Sequence, residues 1–182
     1  MNRLGEEFCI DLMGNATTPR ELRHALGRFA TGVTVVTTRT IAGRLEGVTA
    51  NSFASVSLDP PLVSWSLRNG APSLRSFVES GWFAINVLAA AQQRQSRQFA
   101  TAAADKFAGI DWMPGLGGCP LLDACIARFE CRAEKTVSAG DHLIFIGRVA
   151  RATWRDGEPL LCHAGAYHAA IPHDLPCMPP PN

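Results

Sequence analysis

The segment that decides the fold reads Gly47-Val48-Thr49-Ala50-Asn51-Ser52-Phe53-Ala54-Ser55-Val56-Ser57-Leu58-Asp59-Pro60-Pro61-Leu62-Val63. Its first part predicts a strand dense in threonine, asparagine and serine, which offers hydroxyl groups and an amide in a row. Its small residues allow a planar ligand, such as the edge of an aromatic cofactor, to approach the backbone. An edge strand whose polar side chains face water explains the same residues, and composition alone favours that second interpretation.

The chain on either side of this segment also predicts β structure. Residues 33–38 are all β-branched, and Ala42-Gly43 predicts a hairpin turn into a strand over residues 45–53. The Asp-Pro-Pro break follows, because proline cannot continue a paired central strand. Further strands are predicted over residues 62–67, 82–88, 126–137, 143–155 and 160–167.

Short helices and one long connection complete the pattern. Thr18-Pro19-Arg20-Glu21 has the form of a capping box, and apolar residues at helical spacing continue to Ala30, before Gly32. Residues 72–79 and 90–99 predict two more helices. Residues 100–120 are rich in small residues and predict an irregular connection of the kind that often covers a site.

These elements predict a mainly β fold with short helices, an antiparallel barrel or sandwich. We expect one domain over residues 18–171, preceded by an arm over residues 1–17 and followed by a proline-rich tail over residues 172–182. A chain of 182 residues suits one core, and 47% hydrophobic residues are enough to build it.

Charge and hydropathy exclude several classes of partner. Lysine and arginine number 17 against 16 aspartates and glutamates, so no net field attracts nucleic acid or an anionic membrane. No apolar stretch reaches the roughly 18 residues of a membrane span. The first residues are acidic and lack the basic start and apolar core of a signal peptide, which predicts a cytoplasmic protein.

Motifs for nucleophilic, zinc or phosphate-loop chemistry are missing from the sequence. It has no Gly-x-Ser-x-Gly, His-Glu-x-x-His or Gly-x-x-x-x-Gly-Lys, and no Gly-x-Gly-x-x-Gly after a strand. Six cysteines without Cys-x-x-Cys spacing predict reduced structural thiols. His163, His168 and His173 recur every five residues, which fits neither helix nor strand, so we predict no metal site.

One further group of residues could carry chemistry. Gly140-Asp141-His142 combines a flexible glycine, a carboxylate and an imidazole at a turn that opens a strand. The histidine could contact a second ligand. A turn with a capping aspartate and a half-buried histidine explains the same residues equally well.

Taken together, these motifs resemble the short-chain flavin reductase family, the NAD(P)H-dependent partners of two-component flavin monooxygenases. The resemblance runs in order, with the family's spacing, over roughly residues 20–170. It rests on residues 28–38, 49–63, 83–88, 105–109, 140–142 and 165–168. It implies an antiparallel, Greek-key-like FMN-binding split β-barrel.

The resemblance also implies where ligands bind. The flavin ring and ribityl chain would lie along Thr49, Ala50, Asn51 and Ser52, with Ser66, Leu67 and Arg68 on a neighbouring strand. Arg68, Ser73 and Lys106 would bind the phosphate, because a dianion needs charge-assisted donors, and Phe99 would pack against the flavin. Asp141, His142 and Tyr167 match the nicotinamide-binding positions.

Two departures from the family pattern leave details open. Relatives often have a run of serine or threonine after the arginine, where this chain has Arg68-Asn69-Gly70-Ala71-Pro72-Ser73. Many relatives also have an arginine before the tyrosine, where this chain has Ala166. The phosphate contacts and the nucleotide preference are therefore the least specified parts of the implied site.

The implied activity is hydride transfer from NADH or NADPH to FMN or FAD, with no acid, base or nucleophile required of the protein. Reduced flavin would diffuse to a partner monooxygenase, and the chain would form a homodimer. Two alternatives remain: a flavin-dependent oxidase or oxygenase on the same fold, and a flavin-binding protein without reductase activity.

Overall fold

The computed structural model describes residues 19–171. The predicted arm (residues 1–17) and the predicted tail (residues 172–182) lie outside the described residues, as does the capping-box threonine at position 18. The helices are α1 (Pro19–Leu26), α2 (Leu74–Glu79) and α3 (Gln93–Ala100), with short 3-10 turns at Ala90–Gln92 and Leu116–Gly118. The strands are β1 (Thr31–Gly32), β2 (Thr34–Arg39), β3 (Leu45–Ala50), β4 (Ala54–Leu58), β5 (Pro61–Arg68), β6 (Trp82–Val87), β7 (Trp112–Pro114), β8 (Pro120–Leu122), β9 (Ala127–Ala139), β10 (His142–Trp154), β11 (Leu160–His163) and β12 (Ala166–Ala169).

Seven strands form one antiparallel sheet in the order β3-β2-β6-β9-β10-β5-β4. The end of β3 also meets β5, since the Ser66 amide donates a 2.9 Å hydrogen bond to the Ser52 hydroxyl. The sheet therefore curls until β3, at one edge, approaches β5, near the other edge, as in a barrel. A smaller sheet, β1-β11-β12, and the hairpin β7-β8 lie beside it. The predicted mainly β, antiparallel fold is confirmed.

The barrel core is built around aromatic side chains. Trp65 of β5 is fully buried, stacks on Phe145 at a centroid distance of 4.6 Å and meets the edge of Phe77 at 4.9 Å. A second apolar cluster lies under α3 and includes Val35, Leu88 and Phe99. This second cluster matters for function because it supports the wall of a cleft described below.

Several element boundaries differ from those predicted. Helix α1 ends at Leu26, four residues before Ala30, and none of its residues is buried. Strand β3 ends at Ala50, so Asn51 and Ser52 lie in a bend instead of a strand. The predicted strand over residues 160–167 is two strands, β11 and β12, joined by a turn in which Ala164 and Gly165 both have positive φ.

The predicted irregular connection over residues 100–120 contains β7 and runs into β8, and these two strands pair as a hairpin. Each strand has only three residues, too few to show an alternating pattern in the sequence. The 3-10 turn between them includes Gly117 at φ 63°, where an added Cβ would lie 2.5 Å from the Trp82 side chain. The hairpin thus depends on close contact with β6, which local sequence does not reveal.

Replacing Trp65 with phenylalanine is expected to change the free energy of unfolding by less than about 1 kcal/mol. The Trp65 indole N–H has no hydrogen-bond acceptor among the described residues, and an unsatisfied buried donor costs about 1–3 kcal/mol. Removing this unsatisfied N–H is expected to offset the packing energy that is lost with the larger ring. Trp65→Ala should cost about 3–5 kcal/mol. Urea unfolding followed by circular dichroism would measure both, and equal losses would contradict the prediction.

Candidate functional site

A cleft of about 730 Å³ opens beside strand β3. One wall is β3 and the turn before it, the second is the end of β5 with the turn into α2, and the third is the connection that follows α3. The cleft is lined by Arg44, Leu45, Glu46, Gly47, Val48, Thr49, Leu67, Arg68, Ala71, Pro72, Ser73, Phe99, Ala100, Ala102, Ala103, Ala104, Asp105, Lys106 and Phe107. Six predicted flavin-binding residues are among them: Thr49, Leu67, Arg68, Ser73, Phe99 and Lys106.

Gly47 allows the third wall to pack against the barrel. A Cβ at this position would lie 2.5 Å from two ring carbons of Phe99, so only glycine permits this approach. The buried Phe99 ring in turn meets Phe107 edge-on, at a centroid distance of 5.0 Å. These two rings give the cleft an apolar base.

The ammonium group of Lys106 binds the third wall of the cleft, the connection after α3, to β3. Its Nζ donates hydrogen bonds to the Phe99 carbonyl at 2.9 Å and the Gly47 carbonyl at 3.1 Å. Partial burial lowers the pKa of Lys106, and nearby Glu46 acts in the opposite direction. Lys106 therefore places a cation in the cleft while holding the connection after α3 against β3.

The predicted ring-binding segment, residues 49–52, runs from the lining of the cleft into the bend after β3. Thr49 donates from its hydroxyl to the Ser96 carbonyl of α3 at 2.6 Å, which ties β3 to that helix. The Ala50 carbonyl accepts a 2.7 Å hydrogen bond from Thr34. Asn51 and Ser52 are exposed in the bend after β3, and Ser52 contacts Ser66 as described above.

The predicted phosphate-binding residues stand at the end of β5 and the start of α2. Arg68 is exposed, and within residues 19–171 its guanidinium makes no hydrogen bond or ion pair. Ser73 is buried at the N-cap of α2, but its hydroxyl does not cap the helix. Both groups thus remain available to a ligand in the cleft.

Strand pairing brings the two predicted ligand regions together. His142, the first residue of β10, pairs directly with Arg68, the last residue of β5. The backbone N–H of Asn69 also donates to the Asp141 carbonyl at 2.9 Å. The predicted nicotinamide-binding turn therefore lies at the edge of the cleft.

Asp141 orients His142. The Asp141 carboxylate lies 2.8 Å from the ring Nδ1 of His142, whose side chain is 44% exposed. This hydrogen bond lowers the pKa of Asp141, as does the charge of Arg68 nearby. The aspartate therefore fixes the ring orientation and leaves the other ring nitrogen free to face a ligand.

Tyr167 lies on β12, in the smaller sheet. Its hydroxyl is 2.8 Å from the Ser96 hydroxyl, and the Arg97 guanidinium lies over its ring at 5.7 Å. These contacts place it against α3, and the structure does not bring it together with Asp141 and His142. Its predicted contact with nicotinamide stays a prediction.

Among the charged residues of the cleft that the sequence reasoning did not predict, two lie close together, Arg44 and Glu46. They form an ion pair at 2.8 Å, and Arg44 Nη2 also donates to the Ser76 hydroxyl of α2 at 3.1 Å. The two residues lie at positions i and i+2 around the start of β3, so they could share one face of that strand. This spacing was the available signal, but only the position of α2 shows that this face lines a cleft.

Comparison with known proteins identifies the family. Residues 26–170 match the family described as flavin reductase like domain. The chain belongs to this family. The predicted family resemblance is thus confirmed, and the barrel described above is the split barrel of its relatives.

Named relatives of this flavin reductase-like chain act on flavins. It is 48% identical to the FMN reductase (NADH) SmoA of Agrobacterium fabrum, over 81% of this chain and 84% of the relative. It is 45% identical to the reductase component of the flavin-dependent trigonelline monooxygenase of Acinetobacter baylyi, over 81% of this chain and 48% of the relative. These relatives support the predicted reductase function over the oxidase and non-reductase alternatives.

A solved structure supports both predicted classes of ligand. The NADH:FAD oxidoreductase SgcE6 of Streptomyces globisporus, in complex with NAD and FAD fragments, matches with a TM-score of 0.82 and 36% identity. The match covers 88% of this chain and 99% of that one. Several curated relatives are longer, and the flavin reductase-like chain spans 42–57% of their length.

The cleft of this flavin reductase-like chain fits a flavin nucleotide. Leu67, the alanines after α3 and the small residues of β3 offer an apolar surface to a planar ring, with the buried rings of Phe99 and Phe107 beneath them, and the cations Arg68 and Lys106 suit a phosphate. Its volume is within the range of about 300–1,000 Å³ typical of small-molecule sites.

Other parts of the flavin reductase-like chain do not suggest a metal or a membrane segment. Among the described residues, no three histidine, cysteine, aspartate or glutamate side chains converge as metal ligands would. His163 and His168 lie 5.6 Å apart between ring centroids, and His173 lies outside the described residues. None of the helices in residues 19–171 combines the length and apolar character needed to cross a membrane.

The described cysteines are free thiols. Burial raises the pKa of Cys119 and of Cys125 to about 11, and that of Cys131 to about 12. Thiols with such high pKa values are protonated at neutral pH and are poor nucleophiles. This agrees with structural roles for these three; Cys9 and Cys177 lie outside the described residues.

Proposed function

We propose that this chain is an NADH-dependent flavin reductase that supplies reduced flavin to a separate monooxygenase. One observation carries the proposal: the pairing of Arg68 with His142 sets the cleft, which we expect to bind flavin, beside the turn that we expect to bind nicotinamide. The named relatives support NADH as the donor and a monooxygenase as the consumer of the product. The reaction would be that of an NAD(P)H:flavin oxidoreductase of the EC 1.5.1 type, in the cytoplasm.

The protein's part in this reaction is binding and orientation. A bound flavin supplies the chemistry, since it accepts hydride from reduced nicotinamide. The end of β3 would support the ring, while Arg68 and Ser73 hold the phosphate. His142, held by Asp141, would position the nicotinamide within reach of the ring. Backbone N–H groups near residues 49–52 would stabilise the negative charge that develops on the ring, at about 3 kcal/mol per well-placed donor.

The test is the oxidation of NADH and of NADPH at 340 nm, without oxygen, with FMN, FAD or riboflavin added. We expect rapid turnover that saturates with free flavin and is faster with NADH. Saturation would show that flavin diffuses as a substrate. Measurable flavin binding without turnover would instead support a flavin-binding protein of another activity on this fold.

We also propose a homodimer. Leu26, the last residue of α1, is 65% exposed, and Phe29, three residues later, is 78% exposed. Leu58 on the edge strand β4 is 91% exposed. Leu26 and Phe29 are neighbours in one turn of chain, and exposed apolar side chains that cluster, unlike single ones, commonly mark protein contacts. Light scattering coupled to size exclusion should give twice the chain mass, and a monomer at every concentration tested would contradict the proposal.

Replacing His142 with alanine is expected to raise the KM for NADH about tenfold while leaving the KM for FMN within about twofold. The ring contacts nicotinamide in this proposal, and a lost hydrogen bond of about 1 kcal/mol plus lost stacking gives this magnitude. His168→Ala removes an exposed histidine outside the cleft and is the control. Unchanged NADH KM and turnover in His142→Ala would rule out the assigned role.

A further inference from the structure

The cleft has a third cation, Arg44, to which no role has been assigned so far. It ends the hairpin turn before β3 and faces α2 across the cleft. Its backbone N–H donates to the Thr40 hydroxyl at 2.9 Å, and its carbonyl accepts from the Thr40 amide at 2.8 Å, so the turn that carries Arg44 is closed by two hydrogen bonds.

Two partners hold the Arg44 side chain over the start of α2. Nη2 contacts the Glu46 carboxylate at 2.8 Å and the buried Ser76 hydroxyl at 3.1 Å. Ser73 precedes Ser76 by three residues, which in this short helix places both on one face. The Arg44 guanidinium is therefore fixed close to a residue already expected to bind phosphate.

Most of the hydrogen-bonding capacity of this guanidinium remains unused. Both contacts of Arg44 use Nη2, and Nε and Nη1 have no partner among residues 19–171. A guanidinium has five N–H donors in a planar fork that matches an oxyanion. Its side chain is 67% exposed, so a ligand can reach the free edge.

The charges around the cleft favour a phosphate at this end. Three cations, Arg44, Arg68 and Lys106, face two carboxylates, Glu46 and Asp105. Lys106 already donates to two carbonyl groups, and the Asp105 carboxylate accepts from the Phe107 amide at 2.8 Å. Lys106 thus keeps one of its three donors, whereas within residues 19–171 Arg44 keeps Nε and Nη1 and Arg68 keeps its whole guanidinium for a ligand.

We infer that Arg44 binds the phosphate of the flavin nucleotide together with Arg68, and so makes the cleft prefer phosphorylated flavins over riboflavin. This inference rests on the proposed function. Glu46 and Ser76 act as positioning residues, because they hold the guanidinium with its free edge toward the cleft.

The test measures equilibrium binding of FMN and of riboflavin by flavin fluorescence, for the wild type and for Arg44→Gln. We expect the Kd for FMN to rise about tenfold, as for loss of charge-assisted hydrogen bonds, and the Kd for riboflavin to stay within about twofold. Arg44→Lys, which keeps the charge and loses the fork, should give an intermediate Kd for FMN. Arg75→Gln is the matched control, since Arg75 lies on α2 outside the cleft and pairs with Glu79.

The outcomes separate this inference from the proposed function. Equal weakening of FMN and riboflavin would show that Arg44 only shapes the cleft, and an unchanged FMN Kd would show that it does not touch the phosphate; either would overturn the inference. A raised KM for NADH with unchanged FMN binding would also overturn it. In all three cases the proposed function still stands if the wild type reduces flavin with NADH. If the wild type binds no flavin, both the inference and the proposed function are overturned.

Discussion

Arg68→Ala is expected to raise the KM for FMN by about thirty- to a hundredfold, with a much smaller change for riboflavin. Arg68 lines the cleft and its guanidinium has no partner among residues 19–171, so its donors are free for a phosphate. Loss of one hydrogen bond between charged groups costs about 1.5–3 kcal/mol, which corresponds to about a ten- to 150-fold change and brackets the expected effect at this exposed position. Steady-state NADH oxidation with each flavin measures the effect.

Two further variants define the origin of this effect. Arg68→Lys keeps the charge without the planar fork and should recover part of the loss. Arg94→Ala removes an exposed cation of α3 that does not line the cleft, and should leave both KM values unchanged. If riboflavin and FMN suffer equally from Arg68→Ala, Arg68 acts on the ring or on the fold, and the phosphate assignment is wrong.

The pairing of Arg68 with His142 shows what sequence could and could not predict. His142 was identifiable from its turn motif and Arg68 only from the family resemblance, and the strands that carry them were predicted from alternation and β-branching. Their contact depends on β5 pairing with β10, far apart in the chain. Local patterns carry no information about such long-range pairing, so only the family resemblance connected the two residues.

Helix α1 shows the opposite case, in which a pattern was present but misleading. Leu22, Leu26 and Phe29 recur at helical spacing, which normally indicates a face turned to the core. In the structure these side chains are exposed, and the helix stops at Leu26. The periodicity of an apolar face shows that it needs a partner surface, but it does not show whether that surface belongs to the same chain.

Arg151→Met is expected to lower the free energy of unfolding by about 3 kcal/mol at neutral pH. Glu130 of β9 is only 2% exposed, and its carboxylate accepts from Arg151 Nε, from Arg151 Nη2 at 2.7 Å and from the Leu116 amide at 2.6 Å. Removing the arginine leaves a buried carboxylate without its counter-ion, which costs about 3–5 kcal/mol, and the half-exposed position of Arg151 puts the loss at the lower end.

The same hairpin supplies the matched control. Arg148 of β10 pairs with Glu134 of β9 through two hydrogen bonds, at 2.7 Å and 2.9 Å, but both side chains are substantially exposed. Arg148→Met should therefore cost much less stability than Arg151→Met. Equal losses in the two variants, measured by urea unfolding, would show that burial of Glu130 does not decide the strength of its ion pair.

The difference between wild type and Arg151→Met should also depend on pH. Burial alone would raise the pKa of Glu130, but the hydrogen bonds from Arg151 and Leu116 outweigh it and hold the pKa below its usual value of 4.5. The wild type therefore gains stability above pH 4.5 and loses it as the pH falls through the lowered value. In Arg151→Met the hydrogen bonds and the charge of Arg151 are lost, so the pKa of Glu130 is expected to be higher than in the wild type, and the variant's penalty shrinks as the carboxylate is protonated. The difference in unfolding free energy between the wild type and Arg151→Met should thus become smaller as the pH is lowered from 7 to 4. A constant difference would mean that Arg151 stabilises the fold by packing and not by charge.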